Sequence, residues 1–92
     1  MKYEIIIASS FKRDYKKILK RKYDVTLLDD IVNKLQNGEK LPDNNRDHAL
    51  SGNWKGYREC HILPDWLLVY KISDEQLVLS LTRTGSHSDL EF

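Results

Sequence analysis

One cysteine, Cys60, stands among 92 residues, so no disulfide can close within the chain. That scarcity fits a reducing compartment, and its strand-like surroundings make Cys60 a packing residue rather than a reactive one. No apolar run approaches the roughly 20 residues that a membrane-spanning helix needs. The first residues lead straight into strand-like sequence rather than a signal peptide, so a cytoplasmic protein with no membrane partner is expected. Repeats and low-complexity segments are absent. So are CxxC, HExxH, a glycine-rich phosphate loop and GxSxG. A zinc site drawn from His48, His61, His87, Cys60 and Asp65 is disfavoured, because the adjacent Cys60-His61 is poor chelate spacing. No metal or other cofactor is expected.

What is present suffices for one core and no more, so residues 1–92 read as a single domain. The formal net charge of only +1 gives little sign of a nucleic-acid partner, but its distribution does. Between Phe11 and Tyr23 lie seven bases (Lys12, Arg13, Lys16, Lys17, Lys20, Arg21 and Lys22) against one acid, Asp14. The five from Lys12 to Lys20 are candidates for phosphate contact, with a merely solvated helix face as the alternative.

Lys2 to Ile7 is β-branched and half alternating, which predicts a strand. From a serine cap at Ser9-Ser10, Phe11, Tyr15, Ile18 and Leu19 recur at helical spacing. Asp24 caps a second helix carrying Leu28, Ile31 and Leu35, ended by Asn37-Gly38. After a connection around Pro42 to Asn45, His48 to Leu50 forms a short strand or its approach, and Ser51 to Gly56 a turn. Three strands follow at Tyr57–Ile62, Trp66–Ile72 and Gln76–Arg83, with links short enough for antiparallel hairpins. The expectation is an α+β domain: an N-terminal strand, a two-helix hairpin on one sheet face, then an antiparallel sheet of three to four strands.

All three histidines, His48, His61 and His87, fall at or near strand ends or turns in the second half. Cleavage of RNA by its own 2′-hydroxyl needs a group to take that proton, a group to protonate the leaving 5′-oxygen, and positive charge near the phosphorane. Imidazoles suit the first two tasks and arginine the third. Arg83 lies four residues before His87, and Asp65 lies four after His61, where a carboxylate could fix an imidazole tautomer or accept a proton itself. Each has a plainer alternative: structural histidines, Asp65 as a turn residue after Pro64, Arg83 as a solvated charge or salt-bridge partner. Trp54, Trp66 and Phe92 could stack on bases or simply pack, Trp66 as core or pocket wall.

Residues 47–62, DHALSGNWKGYRECHI, followed by PDWLLVY at 64–70 and RTGSHSDL at 83–90, resemble the YafQ branch of the RelE/ParE toxin superfamily in order and spacing. The resemblance implies a RelE-like, microbial-RNase-like fold and a toxin of a type II toxin–antitoxin system. It implies a ribosome-dependent, metal-independent endoribonuclease cutting translated mRNA in the ribosomal A site. His48, His61, Asp65 and His87 would line the active site. His87 would be the principal proton donor, His48, His61 or Asp65 would take the 2′-hydroxyl proton, and Arg83 would stabilise the scissile phosphate. Trp66 and Phe92 would shape the site or position a base. A cognate antitoxin would block the toxin, and their complex would bind DNA to repress its own operon. Two other readings share the fold: a ParE-like inhibitor of DNA gyrase, and a non-catalytic RNA- or protein-binding module. Neither needs several imidazoles and an arginine at one end of a sheet.

Overall fold

The computed structural model describes residues 2–90. A first strand, β1 (Glu4–Ile7), leads into α1 (Ser9–Lys20) and α2 (Val25–Gln36). Then follow β2 (His48–Ala49), β3 (Arg58–Leu63), β4 (Trp66–Ser73), β5 (Val78–Gly85) and a short helix, α3 (His87–Leu90). The five strands form one sheet in the order β1-β5-β4-β3-β2. The four later strands pair antiparallel as their short links predict, while β1 joins as a fifth strand parallel to β5, so the sheet is mixed. Among the described residues no helix is long and apolar enough to cross a membrane.

The helix ends show which local signals act. The Asp24 side chain accepts from the Thr26 N–H at 3.1 Å and so caps α2. At the other end the Gly38 N–H donates to the Leu35 carbonyl and the Glu39 N–H to the Lys34 carbonyl, a Schellman closure with Gly38 at φ +77°. The expected serine cap of α1 is replaced by Ala8, which has no side-chain cap. The Ala8 N–H still donates to the Leu81 carbonyl, so the chain belongs to the sheet until the helix begins. Ser10 instead donates to the Thr82 carbonyl at 2.6 Å, tying α1 to β5. The last strand starts two residues later than expected because Leu77, at φ +54°, still belongs to the turn.

Alternation along the strands divides the apolar residues between two faces. Cys60, Ile62, Trp66, Leu68, Tyr70, Leu79 and Leu81 pack with Phe11 and Ile18 of α1 and Leu28, Ile31 and Leu35 of α2. On the opposite face Leu67 and Val69 are covered by Leu90 of α3, with Leu50, Trp54 and Tyr57 around them. The Cys60 thiol is wholly inside the first cluster, where burial pushes it up to about 12, so it stays protonated and packs.

Asp14 explains the lone acid of the basic helix. It is 6% exposed and accepts from Arg83 Nε at 2.6 Å, from Arg83 Nη2 at 3.2 Å and from the Thr84 N–H at 3.1 Å. These bonds meet β5 just past its bulge, where Val69 faces Arg83 and Tyr70 faces Leu81, leaving Thr82 as the extra residue. Asp14→Ala leaves a guanidinium and a buried N–H without their acceptor, so it should cost about 3 kcal/mol. The urea midpoint should fall with an unchanged denaturant slope, and an unchanged midpoint would contradict this account.

Candidate active site

The sheet register builds the site. Across it His61 of β3 faces Leu67 of β4, which faces Gly85 of β5, so the chain leaving β5 delivers His87 close to His61. On the other side, His48 of β2 is paired with Glu59, two residues before His61 on the same face. The outcome is a row of imidazoles on the sheet face away from α1 and α2. Ring centroids are 5.6 Å apart for His61 and His87, and 6.5 Å apart for His48 and His61. The side chains of His48 and His87 are about half exposed, so these two rings do not serve to fill a core.

Each ring has a distinct partner. Asp65, in the turn between β3 and β4, uses one oxygen twice: Oδ1 accepts from the His87 N–H at 2.9 Å and meets His87 Nδ1 at 2.5 Å. The two bonds hold the Asp65 carboxyl below its usual range, the backbone N–H chiefly and the ring next. An ionised carboxylate on Nδ1 fixes the tautomer with the proton there and leaves proton transfer to Nε2. Asp65 was expected beside His61, four residues earlier. The turn carries it to the β5 side instead, and His61 Nδ1 lies 3.3 Å from the Pro64 carbonyl. His48 Nδ1 lies 2.8 Å from the Arg46 carbonyl, and Nε2 lies 3.4 Å from Glu59 Oε1.

Several supporting residues escaped the sequence reading. Glu59 is 8% exposed, and its Oε2 has no hydrogen-bond partner. Its alternation with His61 was the available signal. The Asn45 side chain donates to the His61 carbonyl at 2.8 Å, fixing β3 against the preceding turn. Asp47, just before His48, accepts from Arg58 Nη2 at 3.0 Å and from the Tyr70 hydroxyl. Burial, followed by that bond to Asp47, raises the Tyr70 phenol above its ordinary range. Two shallow hollows adjoin the row. One of about 290 Å³ is lined by Tyr23, Asp24, Leu63, Asp65 and Trp66. The other, of about 300 Å³, includes Asn44, Asn45, Arg46 and His61.

For the other candidates the structure decides between the alternatives that the sequence left open. Trp66 is 1% exposed, donates from Nε1 to Thr84 Oγ1 at 2.9 Å and meets the Tyr23 ring edge-on, so it is core and hollow wall and cannot stack on a base. Arg83 is forked onto Asp14, which raises its guanidinium pKa and keeps it charged. Its Nη1 lies outside that fork. Lys12, Arg13, Lys16, Lys17 and Lys20 are exposed on α1, in the layer across the sheet from His48 and His61, and so do not line the row. Phe92 lies outside the described residues. Among those residues no group of three or more His, Cys, Asp or Glu side chains is arranged to hold a metal.

A helical hairpin on one face of a mixed sheet and a row of histidines on the other define a small α+β domain. The family model for "Bacterial toxin of type II toxin-antitoxin system, YafQ" matches residues 3–91, and the chain belongs to that family. It is 39% identical to the mRNA interferase toxin YafQ of Escherichia coli K12 over 88 residues, 95% of this chain and 94% of that one. A metal-bound toxin from Helicobacter pylori superposes with a TM-score of 0.89 at 40% identity, covering 96% of this chain and 98% of that chain. Among the described residues of this chain no His, Cys, Asp and Glu side chains converge as a metal-holding group. The E. coli DinJ–YafQ toxin–antitoxin complex gives 0.87 at 37% identity, with 98% of both chains covered.

The Asp65 link has a definite pH signature. A lowered folded-state carboxyl stabilises the fold fully above its unfolded value of about 4 and loses that contribution as pH falls through the lowered value. NMR titration should find Asp65 ionising below the usual carboxylate range. His87→Ala should return it only part of the way, because the larger contribution comes from the backbone N–H, which the variant keeps. Full return to the ordinary value would contradict this assignment.

Proposed function

We propose that this chain is an mRNA interferase, the toxin of a type II toxin–antitoxin pair, which cuts translated messenger on the ribosome without a metal. The observation that carries this reading is the histidine row with His87 clamped through Nδ1 by Asp65. In the proposed reaction the 2′-oxygen attacks the adjacent phosphorus while a neighbouring group takes its proton. Acting as the imidazolium, with its Nδ1–H held by Asp65, His87 gives its Nε2 proton to the departing 5′-oxygen, leaving a 2′,3′-cyclic phosphate and a 5′-hydroxyl.

Of the three candidate bases, Asp65 is the least suited, because its carboxylate is stabilised by two bonds to His87 and so binds a proton weakly. Of the two imidazoles, His61 has its ring centroid 5.6 Å from that of His87, close enough for both rings to reach oxygens of one phosphate. His48 extends the row toward Glu59. Arg83 contributes charge from the β5 side, and its Nη1 is the edge available to a phosphate oxygen.

What supports ribosome dependence is how little this surface offers free RNA. The net charge is +1, and the five exposed bases of α1 lie on the other layer, where they would contact ribosomal rather than messenger phosphates. A messenger already held in the A site brings its own positioning, which is where much of the rate arises. A cognate antitoxin would block the toxin, and the pair would repress its own operon through DNA binding by the complex. The site of action is the cytoplasm.

The test is mapping of 5′ ends on a defined messenger in a purified translation system. Cuts should appear with the wild-type chain only when ribosomes are present. His87→Ala should lose at least about a hundredfold in cleavage rate, the usual scale for deleting a proton-transfer group. An intact messenger under wild-type protein would overturn the reading in favour of gyrase inhibition or simple binding. EDTA, at a concentration that leaves ribosomes intact, should not stop cleavage. Loss of activity restored by zinc would contradict the metal-free mechanism.

A further inference from the structure

His87 owes its position to more than Asp65. It is the first residue of a four-residue helix, too short to hold itself together. Ser86 and Asp89 close that turn reciprocally: the Ser86 N–H donates to Asp89 Oδ2 at 2.9 Å, and the Asp89 N–H donates to Ser86 Oγ at 3.2 Å. Gly85, at φ +155°, makes the close approach possible, since a Cβ there would lie 2.9 Å from that of Asp89. Leu90 anchors the other end of the turn against Leu67 and Val69.

The same Asp89 carboxylate receives both ends of a guanidinium fork. Arg21, the residue just after α1, donates from Nη1 to Oδ2 at 2.5 Å and from Nη2 to Oδ1 at 3.0 Å. A bidentate pair fixes orientation as well as distance. The fork therefore spans from the helix layer, through the C-cap of α1, to the turn that carries His87. Arg21 is thus set apart from the other bases of its stretch by its partner.

We propose that the Arg21–Asp89 pair is a positioning device for His87, holding the α3 turn so that Nε2 meets the leaving 5′-oxygen. The inference rests on the reading of His87 as the proton donor. Partly exposed ion pairs add little to global stability, so the effect belongs in the rate rather than in the melting point. Small misplacements of a catalytic group are costly to a reaction that depends on alignment.

The variants are Arg21→Gln and Asp89→Asn, the second keeping an oxygen to accept from Ser86 while losing the charge. On ribosome-bound messenger each should lower kcat roughly tenfold with KM nearly unchanged, a moderate share of what a 1 Å misplacement costs. The double variant should fall no further, because both changes break one link. Arg21→Lys should recover part of the loss, as it restores the charge without the fork. In the His87→Ala background, Arg21→Gln should have no further effect. At a pH where the ring is neutral, nitrogen shifts of His87, which need no activity, should report the Nδ1–H tautomer in the wild type and a mixture in both variants.

If Arg21 instead contacts RNA directly, Arg21→Gln raises KM, Asp89→Asn leaves kcat intact, and the proposal falls. Unchanged ring shifts in both variants overturn it as well. A wild-type chain that cuts no messenger would sink the nuclease reading, whereas the ring shifts would still report whether the pair positions His87.

Discussion

The register between β3, β4 and β5 is the constraint on which everything else depends. It sets His61 opposite Leu67 and Leu67 opposite Gly85, and so decides that the chain leaving β5 passes the imidazole of β3. A slip of one residue in β3 would turn His61 and Glu59 toward the helices and Cys60 and Ile62 toward solvent. The apolar division between the faces forbids that slip. Leu68, Tyr70 and Leu79 belong under the hairpin, while Leu67 and Val69 belong under Leu90. Packing on the covered face thus fixes which side chains stand on the open one.

Acidic side chains complete what the register begins, and each serves as a junction. Asp14 joins α1 to β5 beyond the bulge, Asp47 joins the approach of β2 to β3 and β4, and Asp65 joins the β3–β4 turn to α3. Asp89 joins α3 to the end of α1. Arg21 holds the Asp89 carboxyl well below its usual range, with the Ser86 bonds adding to that effect. The folded carboxylates of Asp65 and Asp89 are the stabilised forms, so these two links persist at neutral pH and weaken only in acid. The positive charge of α1 has the complementary distribution: most of it faces solvent, and Arg21 is drawn into the junctions.

Much of this was legible in the sequence. Periodicity located both long helices and all the strands, and Asp24 and Gly38 acted as local signals predict. The resemblance of residues 47–62 and 83–90 pointed to the histidines as a group, and the structure brings them together. What could not be read were long-range partnerships. Four residues separate Asp65 from His61, but the hydrogen bond goes to His87, 22 residues away. The sequence left Arg83 open as a phosphate holder, a solvated charge or a salt-bridge partner, and only the fold names that partner, the buried Asp14 from 69 residues away. The serine cap failed for a similar reason, since Ser10 found its acceptor on β5. The parallel partner of β1 likewise depends on how the hairpin crosses the sheet, which no local pattern records.

The central claim is that an imidazole pair moves the protons for attack by the messenger's own 2′-oxygen. Its most direct test is a messenger carrying a single 2′-deoxy nucleotide on the 5′ side of a mapped cut, read in the purified translation system with the wild-type chain. The account predicts that cleavage disappears at that phosphodiester alone, while unmodified sites are cut and leave 2′,3′-cyclic phosphate ends. Undiminished cleavage at the deoxy position would contradict it, because the nucleophile would then be water or a protein group.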